Sequence, residues 1–349
     1  MSLRCRAEAL QGWCEACLRA LDMPAEDAQL LARSLVQTSL WGIDSHGVAR
    51  LPDYLERLQR GSIKARPHIV VTRSGPCTAQ VAGDAGQGIV VAHHANRVAM
   101  QLARENGIGA VGVSDSSHCG AMALYTRAAA QAGLIGLAFT HAGPVVAPYG
   151  GARPFLGTNP ISIAVPRGAA APVCLDMATT AIPWNRVINA RREHEELPEG
   201  VALDAHGQPT TDAAAAQTVM SLGGVEYGYK GYGLALLIEL LCGALHGNPS
   251  APNIPTLFTE LDAPSRRGAF FVVFDPLRFA GGPAFADAVA AMAAALAAPP
   301  GGPKMPGDPE LAREAERRGS GIPIEPELMA QLRTWSNRLN LAEPGPTKT

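Results

Sequence analysis

The chain has 349 residues, of which 47% are hydrophobic and 17% charged, and its formal net charge is −2 at pH 7. With 29 basic residues against 31 acidic ones, it lacks the excess positive charge that nucleic-acid binding relies on, so that class of function is excluded as a simple explanation. The hydrophobic content excludes a disordered chain, and the length predicts two or three domains or one large domain.

Hydrophobic periodicity predicts a helical N-terminal part followed by alternating strands and helices. Residues 3–60 are predicted to be helical, with Pro24 at one helix start and Gly61 at the last helix end. Residues 183–228 are polar and rich in glycine and proline, which predicts irregular structure. Strands are predicted at 68–73, 78–81, 108–114, 134–140, 161–165, 172–176 and 269–275, and later helices at 89–105, 121–132, 234–245, 284–298, 309–318 and 326–339.

This order of elements indicates an α+β protein. We expect an N-terminal helical segment, residues 1–75, that packs with C-terminal helices in residues 304–349. Residues 76–303 are expected to form a mixed α/β core between them.

Cysteine usage and the apolar stretches indicate a cytoplasmic protein. The seven cysteines are odd in number, and Cys14 and Cys17 form a lone CxxC in a helical segment, which we interpret as two cysteines one helical turn apart rather than a zinc or redox site. The N-terminus carries acidic residues and no apolar signal core. The most apolar stretch, residues 231–247, is interrupted by Glu239 and is too short to span a bilayer.

Residues 107–112 spell the GxGxxG of dinucleotide-binding folds, but in the wrong surroundings. In a Rossmann fold this motif follows a strand and opens a helix, so that a phosphate meets the helix N-terminus. Here the glycines follow a predicted helix and enter a predicted strand. We therefore interpret Gly107 as a helix C-cap and predict no Rossmann fold.

A second glycine-rich stretch, residues 228–233, leads into the helix predicted from Leu234. Glycines allow backbone N–H groups to converge, while a helix start and Lys230 supply the positive charge that a phosphate requires. A glycine-rich lead-in with a solvated lysine explains the same residues equally well. Both interpretations stay open at this point.

His46 and Arg50 carry the sharpest functional hypothesis. They are four residues apart and share one helical face if a helix begins near Ser45. An arginine there can bind the carboxylate of a 2-oxo or 2-hydroxy acid, while the imidazole exchanges a proton with the adjacent oxygen. A helix-start histidine beside a solvated arginine is the more frequent explanation of this feature taken alone.

Other histidines are weighed by their positions. His118 and His141 each follow a predicted strand, where functional side chains are common, whereas His93 and His94 lie within a helix and are interpreted as structural or surface residues. Asp44, His46, His118 and His141 converging on a metal would make a metal-dependent hydrolase, the alternative of a different class. We nevertheless predict no metal, because HExxH, HxH and paired cysteine ligands are absent.

Eight segments in one order resemble the malate/L-lactate dehydrogenase family of the non-Rossmann type. Each segment is weak alone, but together they run through most of the chain. The family also contains ureidoglycolate, sulfolactate and diketogulonate dehydrogenases and piperideine-2-carboxylate reductase. The matching segments are residues 44–50 (DSHGVAR), 117–121, 148–151, 156–161, 176–180, 207–212, 230–234 and 305–308.

The resemblance implies a fold, a cofactor and residue roles. It implies an NAD(P)-binding fold on a mixed, largely antiparallel sheet with flanking helices, working as a homodimer. From the charge and the apolar stretches we expect neither nucleic acid nor membrane as a partner. Its catalytic residues match His46, Ser45, His118 and Asp176, with Asp176 orienting the histidine, and its substrate-binding residues match Arg50, His118 and Thr158. Its cofactor-binding positions match Asp176, Met177, Ala178, Thr179, Thr180, Ala181, Ile182, Tyr229, Lys230, Gly307, Asp308 and Pro309.

The chain departs from the family pattern at two places. The family usually has Thr-Asn after the strand that ends at Thr140, where this chain has His141. It commonly has a Gly-Lys pair where residues 183–186 read Pro-Trp-Asn-Arg, and Arg186 is either a contact to the 2′-phosphate of NADP or a surface residue.

The predicted function is therefore NAD- or NADP-dependent interconversion of a small 2-oxo acid and its 2-hydroxy acid, with His46 as the proton donor and acceptor. Reduction of a cyclic imine such as piperideine-2-carboxylate and oxidation of ureidoglycolate are the alternatives within the same family.

Overall fold

The computed structural model describes residues 3–256, 260–297 and 303–345. The helices are α1 (Ala7–Ala20), α2 (Ala25–Leu40), α3 (Leu51–Arg60), α4 (Gly88–Asn106), α5 (Ala123–Gln131), α6 (Trp184–Glu193), α7 (Gly224–Cys242), α8 (Gly282–Ala297), α9 (Asp308–Ser320) and α10 (Pro326–Leu339). The strands are β1 (Leu3–Cys5), β2 (Val70–Arg73), β3 (Thr78–Ala82), β4 (Ile108–Ser116), β5 (Ile135–Thr140), β6 (Ile161–Arg167), β7 (Ala170–Met177), β8 (Ala202–Leu203), β9 (Thr218–Val219), β10 (Arg267–Phe274) and β11 (Ile322–Ile324).

A seven-stranded sheet in the order β2-β3-β4-β10-β5-β6-β7 forms the centre. Every neighbouring pair is antiparallel except β3 and β4, which run parallel and are connected in the chain by α4. The predicted α+β class with a mixed, largely antiparallel sheet is confirmed. The non-consecutive order places the start of β10 beside the end of β4. This pairing brings distant parts of the sequence together at one end of the strands.

The two faces of the sheet are covered by different helices. On β10, Ala269, Phe271 and Val273 pack in a cluster with α4 and α5, whereas Phe270 points to the other face, where it packs with Ile238 of α7. This alternation is the period of two that a strand imposes on its side chains. The helices therefore lie on both faces of one sheet.

The two ends of the chain share one hydrophobic cluster. Leu10 and Trp13 of α1, Leu35 of α2 and Leu55 of α3 pack with Trp335 of α10. Beside it, β1 and β11 pair antiparallel, with Leu3 opposite Ile324. The helix predicted over residues 3–5 is thus wrong, because pairing with a strand more than 300 residues away overrides local periodicity. The division of the chain at 75/76 and 303/304 stays a prediction.

The glycines at 107–112 behave as predicted. Gly107 ends α4 with a left-handed φ of +89°, and the next residue begins β4. A side chain at Gly109 would collide with the Ala99 carbonyl of α4, and one at Gly112 would collide with the His246 ring. Gly109 and Gly112 therefore serve packing, because they allow α4 and the turn after α7 to lie close to β4.

The second glycine-rich stretch differs from the prediction. Helix α7 begins at Gly224, ten residues before the predicted start, so residues 228–233 are helical and form no loop. A Cβ at Gly231 would lie 2.5 Å from both the backbone nitrogen and oxygen of Leu222, which explains the glycine as a close backbone contact. Residues 183–228 also contain α6, where an irregular segment was predicted.

Helix α7 and the turn after it, residues 224–246, are by length and composition apolar enough to cross a membrane, with a mean hydropathy of 1.2. The stretch is longer than the predicted one, so the argument from its shortness is wrong. One side of it packs on β5 and β10, and 39% of the apolar window is buried in this fold. A single helix of this kind is weak evidence for a membrane span.

Candidate active site

A cavity of about 540 Å³ lies where the turn after α2 meets the loops that follow β4, β5 and β7. The first residue of β10 and the first turn of α9 complete its wall. Eight of the predicted site residues line this single cavity: Ser45, His46, Arg50, His118, Thr158, Asp176, Met177 and Ala178. Residues about 130 positions apart in the sequence therefore meet in one place.

The turn that carries His46 is not the continuous helix predicted from Ser45. Two 3₁₀ turns, Asp44–His46 and Val48–Arg50, flank Gly47, whose side chain, if it had one, would collide with Ser39 of α2. The Arg50 Nε donates a hydrogen bond to the Ser45 carbonyl at 2.6 Å, which holds the two side chains on one wall. The predicted proximity of His46 and Arg50 is therefore reached by a different local geometry.

Hydrogen bonds fix this turn in place. The Ser45 Oγ lies 2.9 Å from the His46 Nδ1 and sets the orientation of the imidazole. The Asp44 carboxylate accepts two hydrogen bonds from Arg317 of α9, at 2.5 and 2.9 Å. Asp44 is thus occupied by an ion pair that anchors the turn, and it does not converge with the histidines as a metal ligand.

His118 lies next to His46 in the lining of the cavity. The two ring centroids are 5.4 Å apart, and the Tyr54 Oη lies 2.6 Å from the His118 Nδ1. Tyr54 is fully buried on α3 and was missed by sequence reasoning, although the spacing of four from His46 to Arg50 to Tyr54 was a usable signal. Two oriented imidazoles thus border the same space.

Both imidazoles are neutral at pH 7. Burial, and then the charge of Arg50, lower the pKa of His46 to about 4. Burial also lowers the pKa of His118 well below its usual value, and the neighbouring His46, Arg267 and Arg50 lower it further. Neutral imidazoles can accept a proton, which is the state that a general base requires.

Asp176 lies at the end of β7 and has a different set of neighbours. Burial raises the pKa of its carboxyl to about 7, although the Ala123 N–H, which donates to the carboxylate at 2.8 Å, and the Arg127 guanidinium both act to lower it. Glu310 raises it further. Within residues 3–256, 260–297 and 303–345, no hydrogen bond joins Asp176 to His46 or His118. The predicted orienting contact is therefore absent, and Ser45 and Tyr54 hold the imidazoles instead.

The raised pKa of Asp176 predicts a pH-dependent stability. A carboxyl whose folded pKa is about 7 against an ordinary value of 3.8 binds its proton more tightly when folded, so it costs stability as pH rises through that window. Relative to an Asp176→Asn variant, the wild-type protein should lose about 2–3 kcal/mol of unfolding free energy between pH 5 and pH 8. Urea unfolding at both pH values measures this. A difference between the two proteins that does not change with pH would show that the carboxylate is ionised throughout.

Comparisons with known proteins decide the family. A family model described as malate/L-lactate dehydrogenase matches residues 5–333. The chain belongs to the malate/L-lactate dehydrogenase family. It is an NAD(P)-dependent hydroxyacid dehydrogenase, as the resemblance of its eight segments implies.

Individual relatives of the dehydrogenase agree with this assignment. It is 41% identical over 236 residues to malate dehydrogenase of Pyrococcus abyssi, an alignment that covers 66% of this chain and 65% of that protein. It is 33% identical to L-sulfolactate dehydrogenase of Methanothermobacter thermautotrophicus, covering 93% and 94%. The solved sulfolactate dehydrogenase of Methanocaldococcus jannaschii superposes with a TM-score of 0.90 at 33% identity, covering 98% of each chain.

The names of other relatives span both cofactors and several acids. They include ureidoglycolate dehydrogenase (NAD(+)) of Escherichia coli and (2R)-3-sulfolactate dehydrogenase (NADP(+)) of Chromohalobacter salexigens. A solved Δ1-piperideine-2-carboxylate reductase of Pseudomonas syringae is a structural neighbour. The cofactor of this dehydrogenase is accordingly NAD or NADP.

The segment after β7 fits a nicotinamide cofactor. Met177 and Ala178 line the cavity with Pro183 and Trp184, which gives that end a largely apolar wall for a flat ring. Thr179 and Thr180 are buried behind this wall, followed by Ala181 and Ile182, which pack in a neighbouring apolar cluster. The buried Ser221 Oγ, next to Thr180 through a backbone bridge, has no hydrogen-bond partner among the described residues. This orphaned hydroxyl marks a polar position beside the segment.

The remaining predicted cofactor positions lie outside the cavity lining. Tyr229 and Lys230 lie within α7, and the lysine ammonium lies over the rings of Tyr227 and Tyr229, at 5.2 and 5.8 Å. The helix start at Gly224 is six residues from Lys230, so the interpretation that sets the lysine beside a helix N-terminus is not met. The cofactor role that the resemblance implies for Tyr229 and Lys230 stays a prediction.

Residues 307–309 begin α9 near the Asp176 end of the cavity. Gly307 has a φ of +96° and accepts a hydrogen bond from Arg127, while Asp308 pairs with Arg167 at 3.0 Å and Pro309 follows in the first turn. Glu310, in the same turn, lines the cavity. Arg186 lies on the exposed face of α6, paired with Glu195 at 3.1 Å.

His141, the first departure from the family pattern, does not touch the cavity. It is fully buried, its Nδ1 lies 3.1 Å from Glu239 of α7, and its Nε2 accepts a hydrogen bond from the Gly268 N–H at 2.8 Å. The departure therefore changes the interior rather than a substrate contact. Within the described parts of the chain, no three His, Cys, Asp or Glu side chains are grouped to hold a metal.

Proposed function

We propose that this dehydrogenase interconverts a small 2-oxo acid and its 2-hydroxy acid, with His46 transferring the proton. The observation that carries the proposal is the meeting, in one cavity, of two oriented imidazoles 5.4 Å apart with Arg50 beside one of them. An acid needs a cation for its carboxylate, and the adjacent carbonyl oxygen needs a proton donor. Both requirements are met by side chains on the same turn.

The roles follow from the contacts. Arg50 binds the C1 carboxylate, and its guanidinium is held in place by the Ser45 carbonyl and by Asp53, whose carboxylate lies 2.8 Å away. His46, oriented by Ser45, gives a proton to the C2 oxygen during reduction and takes it back during oxidation. His118, oriented by Tyr54, hydrogen-bonds the same oxygen from the other side, and Thr158 binds the acid from a third wall.

The cofactor supplies the hydride that C2 gains when a 2-oxo acid is reduced. Residues 176–182 would hold its nicotinamide end, since they combine the apolar wall with buried polar groups. Asp176, with a pKa of about 7, would become ionised when a positive charge approaches, because an opposite charge stabilises the carboxylate. This end of the cavity therefore favours the oxidised cofactor, whose nicotinamide ring carries a positive charge.

A screen of substrates against both cofactors tests the function. Purified protein is mixed with NADH or NADPH and one of a panel of acids, and oxidation of the nicotinamide is followed by absorbance. We expect turnover with at least one 2-oxo acid and a preference for one cofactor. Turnover of piperideine-2-carboxylate alone, or of ureidoglycolate alone in the oxidative direction, would assign the cavity to those alternatives. Absence of turnover with every 2-oxo acid contradicts the proposal.

We also infer that two copies of the chain associate in the cytoplasm. Leu237, Leu240 and Leu245 on and after α7 expose about half or more of their surface, at 60%, 48% and 59%. An apolar face of this kind on a globular chain is typical of a subunit interface. Seven free cysteines, six of them buried, are compatible with a reducing compartment.

A further inference from the structure

Arg267 is a buried cation in the cavity wall that neither the motifs nor the family pattern singled out. It is the first residue of β10, and its side chain is only 5% exposed yet lines the cavity. The pairing of β10 with β4 places it opposite Ser116, two residues before His118. A charged residue at the head of the otherwise apolar strand RGAFFVVF was the signal in the sequence.

Its charge has no carboxylate partner in the part of the chain that the structure describes. The Nη2 donates to the Pro255 carbonyl at a long 3.4 Å, and the buried Nε has no acceptor. Burial lowers the pKa of the guanidinium to about 10, and the nearby Arg57 acts in the same direction. Burying a charge without a counterion is costly, which makes an unpaired cation in a cavity wall a candidate for pairing with an anionic ligand.

Arg50 provides the contrast. Its guanidinium pairs with Asp53 at 2.8 Å, so its charge is already compensated before an acid arrives. The charges of both arginines act on His118, but only Arg50 is bonded to the turn that carries His46. The two arginines thus belong to different elements, the 3₁₀ turn before α3 and the start of β10. Both cations line the cavity that the two imidazoles border, so an acid bound there meets two guanidinium groups.

We propose that Arg267 binds a second anionic group of the substrate, a carboxylate or sulfonate carried beyond C2, and so selects dianionic over monoanionic 2-oxo acids. This inference rests on the proposed function of the cavity. Arg50 holds the C1 carboxylate, and the second anion supplies the counterion that Arg267 lacks. The guanidinium fork suits either planar carboxylate or sulfonate oxygens.

The test compares oxaloacetate, a dianion, with pyruvate, a monoanion, in the wild-type enzyme and in Arg267→Met. We expect the wild type to favour oxaloacetate, and the ratio of kcat/KM for the two acids to fall by at least about 30-fold in Arg267→Met, chiefly through KM, the loss typical of removing one partner of a buried charge pair. Arg267→Lys should restore part of the ratio. Arg278→Met, which changes an exposed arginine away from the cavity, should leave the ratio unchanged.

Thermal unfolding separates this role from a structural one. Arg267→Met removes an uncompensated buried charge and leaves no carboxylate without a partner, so its Tm should equal or exceed that of the wild type. A lower Tm with an unchanged ratio, or a wild type that reduces pyruvate but not oxaloacetate, overturns the inference while the proposed function stands. A wild type that reduces no 2-oxo acid contradicts the proposed function itself.

Discussion

Replacing His46 with Gln is expected to lower kcat for 2-oxo acid reduction by about 10²–10⁴-fold, the contribution typical of a positioned proton donor. Glutamine keeps a hydrogen-bonding group of similar reach beside Ser45, whose Oγ lies 2.9 Å from the imidazole, so the turn should stay folded. The measurement is kcat at saturating acid and cofactor, with circular dichroism to confirm the fold. His206→Gln, on the exposed surface, is the matched control and should match the wild type.

The companion variant His118→Gln decides which imidazole transfers the proton. We expect it to lose less kcat than His46→Gln, because His118 acts by hydrogen-bonding the oxygen. A folded His46→Gln enzyme with wild-type kcat, together with an inactive His118→Gln enzyme, would move the acid–base role to His118. In that case Tyr54, 2.6 Å from the His118 Nδ1, would be the residue that orients the catalytic ring.

The pH dependence of the wild type follows from the same residue. Since the pKa of His46 is about 4, its protonated fraction at pH 6–8 is small and rises about tenfold for each unit that the pH falls. Reduction consumes this proton, so kcat/KM for the 2-oxo acid should increase as the pH is lowered from 8 to 6. Oxidation uses the neutral imidazole, which is fully present over that range.

The central fold could be predicted because its signals are local. Strands and helices between residues 78 and 177 lie within a few residues of their predicted bounds, since alternating and helical periodicities and the left-handed cap at Gly107 act over short stretches. The failures have long-range causes. β1 exists only because β11 pairs with it, and the first turns of α7 are held by packing on residue 222 despite four glycines within residues 224–233. Neither interaction can be predicted from the pattern of residues next to it in the sequence.

The candidate site shows the same division. His46, Arg50 and His118 were identified because small motifs surround them, and they meet in the cavity. The contact predicted for Asp176 fails, because the end of β7 presents its carboxylate to the Ala123 N–H. The sequence did not predict Arg267 as a site residue, because only the antiparallel pairing of β10 with β4 brings it near His118. The register of such a pairing cannot be read from the sequence of one strand.

Replacing His141 with Ala is expected to reduce the unfolding free energy by about 3–5 kcal/mol, the range for removing one partner of a buried pair. The imidazole is fully buried between Glu239 and the Gly268 N–H. Burial alone would raise the pKa of Glu239, but hydrogen bonds from His141, the Ala251 N–H and Asn159 outweigh it and keep the pKa below its ordinary value. Losing the imidazole leaves a buried carboxylate with fewer donors and a backbone N–H without an acceptor.

A double-mutant cycle with Glu239→Gln isolates the pair from the cavity that His141→Ala creates. The coupling measured by urea unfolding should be about 1–3 kcal/mol at pH 7, as expected for residues in one hydrogen-bond network. It should vanish as the pH falls below the ordinary glutamate pKa of 4.5 and through the lower folded value, because a protonated carboxyl is a weaker acceptor for the imidazole N–H than a carboxylate. Additive single mutants at pH 7 would mean that His141 acts through its volume and its bond to Gly268. Asn159 donates to Glu239 and lies between Thr158 and Pro160 of the cavity wall. Coupling of the pair would therefore link the cavity wall to His141, which does not line the cavity.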